Sequence, residues 1–179
     1  MKNIVSIVAV ICTLTFTSCI ENPPCETPIN GFLTETSSQV KMGSSEAVEV
    51  FNQLDTAWAK RDYEKMKTFI ADKAFLSFDD GFIATTPQEF VDKIKEDFAN
   101  TEAEGSSYQW TTDYAFALAL TDDGSEDTTN DTGDWVNAQF TTKHTNPDSE
   151  IDSEVYYEYY HIIDGKVTAW NQFKKTIKK

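Results

Sequence analysis

The feature that most constrains this chain is a change of hydrophobic period at Gly105. Before it, apolar residues recur at three- and four-residue steps; after it they alternate. Ala47, Val50, Phe51, Leu54, Ala57 and Trp58 mark a first helix that starts on Ser44 or Ser45 and stops at Lys60-Arg61-Asp62. Asp62 can cap a short second helix carrying Tyr63, Met66, Phe69 and Ile70. Thr86-Pro87-Gln88-Glu89 combines a capping box with proline at the first helical position, and Phe90, Val91, Ile94 and Phe98 follow on one face. Between these helices, Phe75 to Phe78 and Phe82-Ile83 flank Asp79-Asp80-Gly81, a hairpin signal.

Beyond Gly105, Tyr108, Trp110, Thr112, Tyr114, Phe116, Leu118 and Leu120 are expected to point one way, with three alanines pointing the other. A second strand runs from Trp135 to about Thr142 and a third from about Val155 to Ile163. Asp164-Gly165 turns the chain into a fourth strand, Lys166 to about Thr176. Helices first and an antiparallel sheet last is an α+β layout, with three helices covering one face of a strongly curved sheet.

Three segments follow. Lys2 and the apolar run Ile4 to Phe16 are too short for a membrane span and read as an export signal over residues 1–18. Phe16-Thr17-Ser18-Cys19 resembles the lipobox of bacterial lipoproteins, with Phe16 where leucine is commoner. That resemblance implies acylation of Cys19 and a location in the cell envelope, anchored to the lipid bilayer. Residues 19–43, with Asn-Pro-Pro, Thr-Pro and Asn-Gly, read as a flexible linker. Residues 44–179 form the domain. Cys12 lies in the signal, Cys19 would carry lipid, and Cys25 alone remains, so no disulfide framework is expected.

The charge excludes one function class. Thirty acids against fifteen lysines and arginines leave −15, which repels phosphate backbones, so no nucleic-acid partner is expected. Yet 40% hydrophobic and 13% aromatic residues are too many for a disordered acidic chain. The loop Asp122 to Asp134 holds six acids and no base. Its oxygens suit calcium, but the spacing matches no calcium-loop pattern, so it reads as a solvated hairpin tip and no metal is assigned. The basic tail Lys174, Lys175, Lys178 and Lys179 reads either as a segment that touches lipid head groups or neutralises nearby acids, or as a frayed, soluble end.

Trp58-Ala59-Lys60-Arg61-Asp62-Tyr63, the Thr86-Pro87 helix start and the terminal Asp164-Gly165-Lys166-Val167 hairpin resemble the nuclear transport factor 2-like superfamily from about Ser44 to Phe173. Polyketide cyclases, ketosteroid isomerase, limonene-epoxide hydrolase and scytalone dehydratase belong to it. The resemblance implies a cone of bent sheet around the first helix, a pocket at its wide end and frequent pairing of two copies through the outer sheet face.

The terminal hairpin carries most of the candidate site. A two-residue turn pairs His161 with Thr168, Tyr159 with Trp170 and Tyr157 with Gln172. A three-residue loop with a glycine bulge sets Trp170 against Glu158 and Gln172 against Tyr156 instead. Trp170 and Gln172 share a face in both. The limonene-epoxide hydrolase pattern Trp-Arg-Asp-Tyr corresponds here to Trp170-Asn171-Gln172-Phe173, with Gln172 in place of the catalytic acid. An amide binds ligands but does not shuttle protons near neutral pH.

The leading expectation is therefore a small, partly apolar ligand, with no cofactor. Trp58, Trp110, Tyr114 and Trp170 are the expected walls, and Tyr157, Tyr159, His161 and Gln172 the groups that orient the ligand. The runner-up is an isomerase- or cyclase-type enzyme using His161 as base with Asp113, Asp134 or Glu158. A third reading is an interaction module that pairs through its aromatic sheet face. His144, near Asn146-Pro147, reads as a strand-end residue.

Overall fold

In the computed structural model, the described residues are 28–34, 38–106, 109–121 and 133–179. The export signal, Cys19, Cys25, Tyr108 and nearly all of the acidic loop lie outside them.

The first helix, α1, spans Ser45–Ala59. Ser44 caps it by accepting from the Ala47 amide at 3.2 Å, and Phe51, Leu54 and Ala57 form its buried stripe. Asp62 caps α2 (Tyr63–Lys67). Thr86 caps α3 (Pro87–Ala103) by accepting from Glu89 N, and Glu89 reaches back to the amide and hydroxyl of Thr85. These satisfy donors that a bare helix start leaves orphaned.

Eight strands among the described residues form one sheet: β1 (Ile29–Phe32), β2 (Gln39–Met42), β3 (Ile70–Ser77), β4 (Ile83–Ala84), β5 (Trp110–Leu120), β6 (Asp134–Lys143), β7 (Ile151–Ile163) and β8 (Lys166–Lys178). Their order is β1-β2-β5-β6-β7-β8-β3-β4. All pairs are antiparallel except β3 with β8. The expected α+β layout with three helices is present, the sheet being mostly rather than wholly antiparallel. The core sits between helices and sheet, where Phe51, Leu54, Phe90, Val91, Leu76, Val136 and Trp170 are almost fully buried.

Four expectations are corrected. Ile70 and Phe69 do not continue α2: Ile70 opens β3, because the Phe69 carbonyl accepts from the Val167 amide of β8 at 2.8 Å. The linker is shorter than expected, since β1 and β2 extend the sheet along β5. Their side chains are largely exposed, so backbone pairing makes them strands without an apolar period in the sequence.

The third correction lies in β5. Thr112 pairs with Phe140 but Tyr114 with Gln139, so Asp113 is an extra residue. Such a bulge inverts the alternation beyond it. Asp113 accepts from Gln139 and Thr141 at 2.9 and 2.7 Å, which secures the bulge. Trp110 and Thr112 therefore face the helices, as do Ala115 and Ala117, while Tyr114 and Phe116 turn to the outer face. Tyr114 is 43% exposed and Ala117 2%.

The fourth is the terminal hairpin. Asp164 and Gly165, both at positive φ (49° and 74°), form a two-residue turn of the type that suits twisted strands. Ile163 pairs with Lys166 and Ile162 with Val167, but then Thr168 is skipped and His161 pairs with Ala169. Beyond that bulge Tyr160 faces Trp170 and Glu158 faces Gln172. Neither expected register is the observed one. Tyr156, Glu158, Tyr160, Trp170 and Gln172 point toward the helices; Tyr157, Tyr159 and His161 do not.

Candidate functional site

The site is built where α1 crosses the inner face of β5 to β8. Phe51, Asp55 and Trp58 lie one turn apart on α1, so the buried stripe carries a carboxylate between two rings. Across from it, alternate residues of β7 and β8 supply Tyr156, Glu158, Tyr160 and Gln172.

Glu158 is 5% exposed. Its Oε2 accepts from the Tyr160 hydroxyl and from Trp170 Nε1 at 3.0 Å, and its Oε1 accepts from Gln172 Nε2 at 2.8 Å. Burial pushes its carboxyl above the usual range, against the pull of those three donors, and the nearby Asp55 charge pushes the same way. Burial, then the Glu158 charge, holds the Tyr160 phenol well above its usual value. Asp55 in turn accepts from Trp110 Nε1 at 2.9 Å and from the Thr112 hydroxyl at 3.0 Å.

Two carboxylates on facing elements thus border a hollow of ≈ 30 Å³, walled by Trp58, Trp110, Tyr156 and their neighbours. By volume it holds about two water-sized groups. Trp58, Thr142, Tyr156 and Gln172 also line a wider cleft of ≈ 280 Å³ that extends past α3.

The cleft is polar and charge-paired. Lys93 of α3 contacts Asp80 at 2.7 Å and Asp97 at 2.5 Å. Lys174 of β8 contacts Asp79 at 3.0 Å and Glu154 at 3.7 Å. In both lysines burial works against the charge, and these acid partners overcome it and raise the pKa. Glu154 also receives the Tyr156 hydroxyl at 3.1 Å and faces His144 Nε2 at 3.4 Å. His144, just past the end of β6, and Lys174, which pairs with nearby acids as one reading of the basic tail has it, are part of the cleft. Among the described residues, no group of three or more histidine, cysteine, aspartate or glutamate side chains is arranged to hold a metal ion.

The expected site residues divide accordingly. Trp58, Trp110 and Gln172 line the hollow. Trp170 is wholly buried beneath it and reaches the site only through its indole N–H. Glu158, named only as a partner for His161, is its central acid. Tyr114, Tyr157, Tyr159 and His161 belong to the outer face. His161 stacks on Trp135 of β6, centroids 4.5 Å apart, with Thr168 Oγ1 3.1 Å from its Nδ1. Asp113 and Asp134 are likewise engaged elsewhere, Asp134 with the Ser44 amide and hydroxyl at the cap of α1. Asp55 was missed altogether. Its signal was present: it is an acid three residues before Trp58 and four after Phe51, inside an apolar stripe.

No protein-family model matches the sequence. No curated protein matches it either. Solved structures to which the chain is similar include a candidate ketosteroid isomerase from Kribbella flavida DSM 17836, 9% identical, with 77% of this chain and 84% of that one covered and a TM-score of 0.53. A nuclear transport factor 2-like protein of unknown function from Burkholderia xenovorans LB400 is 10% identical over 75% and 86%, TM-score 0.50. A cystatin-like-fold protein of unknown function from Methylobium petroleophilum PM1 is 14% identical over 77% and 81%, TM-score 0.50. At such identities the likeness is one of fold, and the fold is the nuclear transport factor 2-like, cystatin-like one that the element order resembles.

Proposed function

We propose that the domain binds a small, partly apolar molecule in the hollow and cleft between α1, α3 and the inner sheet face. The observation that carries this reading is the ring-walled hollow closed at one side by Asp55 and Glu158 and continuous with a wider cleft. A few fixed polar groups among aromatic walls are what orient a small ligand. Thr142, buried, lines both spaces. A ligand-observed NMR screen of small aromatic fragments tests the reading: hits are expected, and Thr142→Phe, which adds a ring to both linings, should abolish them. Hits that persist in a folded Thr142→Phe protein would place binding elsewhere.

The raised carboxyl of Glu158 beside Asp55 favours a second reading, proton transfer of the isomerase or cyclase kind on the bound molecule. Glu158 would supply the proton and Asp55 accept one; His161, on the opposite face, takes no part. Under this reading Asp55→Asn keeps ligand affinity and loses turnover.

The domain is further proposed to be exported and held at the cell envelope by an acylated Cys19, on the strength of the first nineteen residues. Pairing of two copies through the outer face is supported by the exposed rings Tyr114, Phe116, Tyr159 and Phe173.

A further inference from the structure

We infer that the inner hollow takes the ammonium head of a small organic amine, with the apolar remainder of the molecule in the adjoining cleft. This rests on the ligand-binding reading above and specifies the charge of the ligand.

The hydrogen-bond inventory of the hollow carries it. Trp110 Nε1, the Thr112 hydroxyl, the Tyr160 hydroxyl, Trp170 Nε1 and one N–H of the Gln172 amide are turned onto Asp55 or Glu158, and the Tyr156 and Thr142 hydroxyls of the lining are turned onto Glu154. Asp55 receives one bond on each oxygen, and a carboxylate has about four lone-pair sites, so it keeps acceptor capacity for donors brought by a ligand. The hollow therefore presents acceptors and negative charge. No lysine or arginine lines it.

The walls agree. Trp58 and Trp110 both line the hollow, 72° apart with centroids 6.4 Å from each other. Indole faces attract a cation within about 6 Å of the ring centre. An ammonium group matches the space, the acceptors and the rings together.

An anion finds the opposite. Beyond Asp55 and Glu158 it would meet Lys93 and Lys174, each already held between two carboxylates. A neutral carbonyl compound brings no donor to the open acceptor sites of Asp55.

Three probes of one shape decide the matter: benzylamine, benzyl alcohol and benzoate, titrated against the full-length protein by calorimetry with tryptophan fluorescence alongside. Benzylamine should bind at least tenfold more tightly than benzyl alcohol, and benzoate should not bind. Asp55→Asn should remove the preference, whereas Asp113→Asn, on the outer face, should leave it intact. Benzyl alcohol or benzoate binding as tightly as benzylamine overturns the amine inference and leaves the pocket standing. Failure of all three to bind overturns both. A preference that survives Asp55→Asn, or falls equally with Asp113→Asn, shows attraction to the acidic surface and overturns the site. The ratio in the unaltered protein is decisive should Asp55→Asn not fold.

Discussion

Gln172 stands opposite Glu158 on the neighbouring strand, its amide nitrogen 2.8 Å from Glu158 Oε1. The amide at the position of an expected acid is thus a donor to an acid one strand away. That acid hangs from β7, buried, with a phenol and an indole on its other oxygen.

Glu158 should make the protein less stable as pH rises. The unfolded chain ionises this group near its ordinary value of 4.5, the folded chain only above it. The folded state therefore holds the extra proton between the two values. The stability from this group is complete below 4.5 and is lost as pH climbs through the folded value. Asp80, lowered chiefly by its bond to Lys93, acts oppositely, losing its contribution as pH falls below 3.8. Urea unfolding followed as pH rises above 4.5 should show the decline in the parent and a smaller one in Glu158→Gln, where Asp97, also raised by burial, still contributes. That variant should itself cost about 1–3 kcal/mol, since an amide cannot accept from all three donors.

The Asp113 bulge turns Ala115 and Ala117 to the inner face, where Ala117 is buried against Gly43. Ala117→Leu should destabilise by about 1–3 kcal/mol through overpacking. Phe116→Ser, 40% exposed on the opposite face, should stay within about 0.5 kcal/mol. Denaturation midpoints of the two variants separate these outcomes, and equal losses would mean the alternation is not inverted there.

Ser44 ties the start of α1 to β6, through its amide and hydroxyl on Asp134 and the Ala47 amide on its own oxygen. Ser44→Ala should cost about 1–2 kcal/mol, as N-cap losses do, and Ser44→Asp should recover less than is usual for caps because it meets Asp134. Thermal unfolding of the pair measures this.

If the outer face joins two copies, Phe173→Asp, at a residue 57% exposed, should yield a monomer with unchanged stability. Sedimentation velocity gives the answer, and a monomeric parent at high concentration would remove the proposal.

The lipid anchor predicts that Cys19→Ser moves the protein from the membrane to the soluble fraction on cell fractionation. Unchanged membrane association counts against acylation at that residue.

Local chemistry was sufficient for the three helix starts and the tight turn. Ser44, Thr86-Pro87 and Asp164-Gly165 act on backbone groups within a few residues, so their effect is written where they stand. The same holds for Trp58, Trp110 and Gln172, whose place on a helix stripe or a strand face follows from period alone. What the sequence by itself left open was the face on which most other rings would fall. Two single-residue bulges, at Asp113 and Thr168, each invert an alternation of period two, and neither has a local signature. They are set by distant partners: the close approach of Ala117 to Gly43, the grip of Gln139 and Thr141 on Asp113, and the contact of Thr168 with His161. Only tertiary packing therefore decided that Glu158, and not His161, would stand across from Asp55.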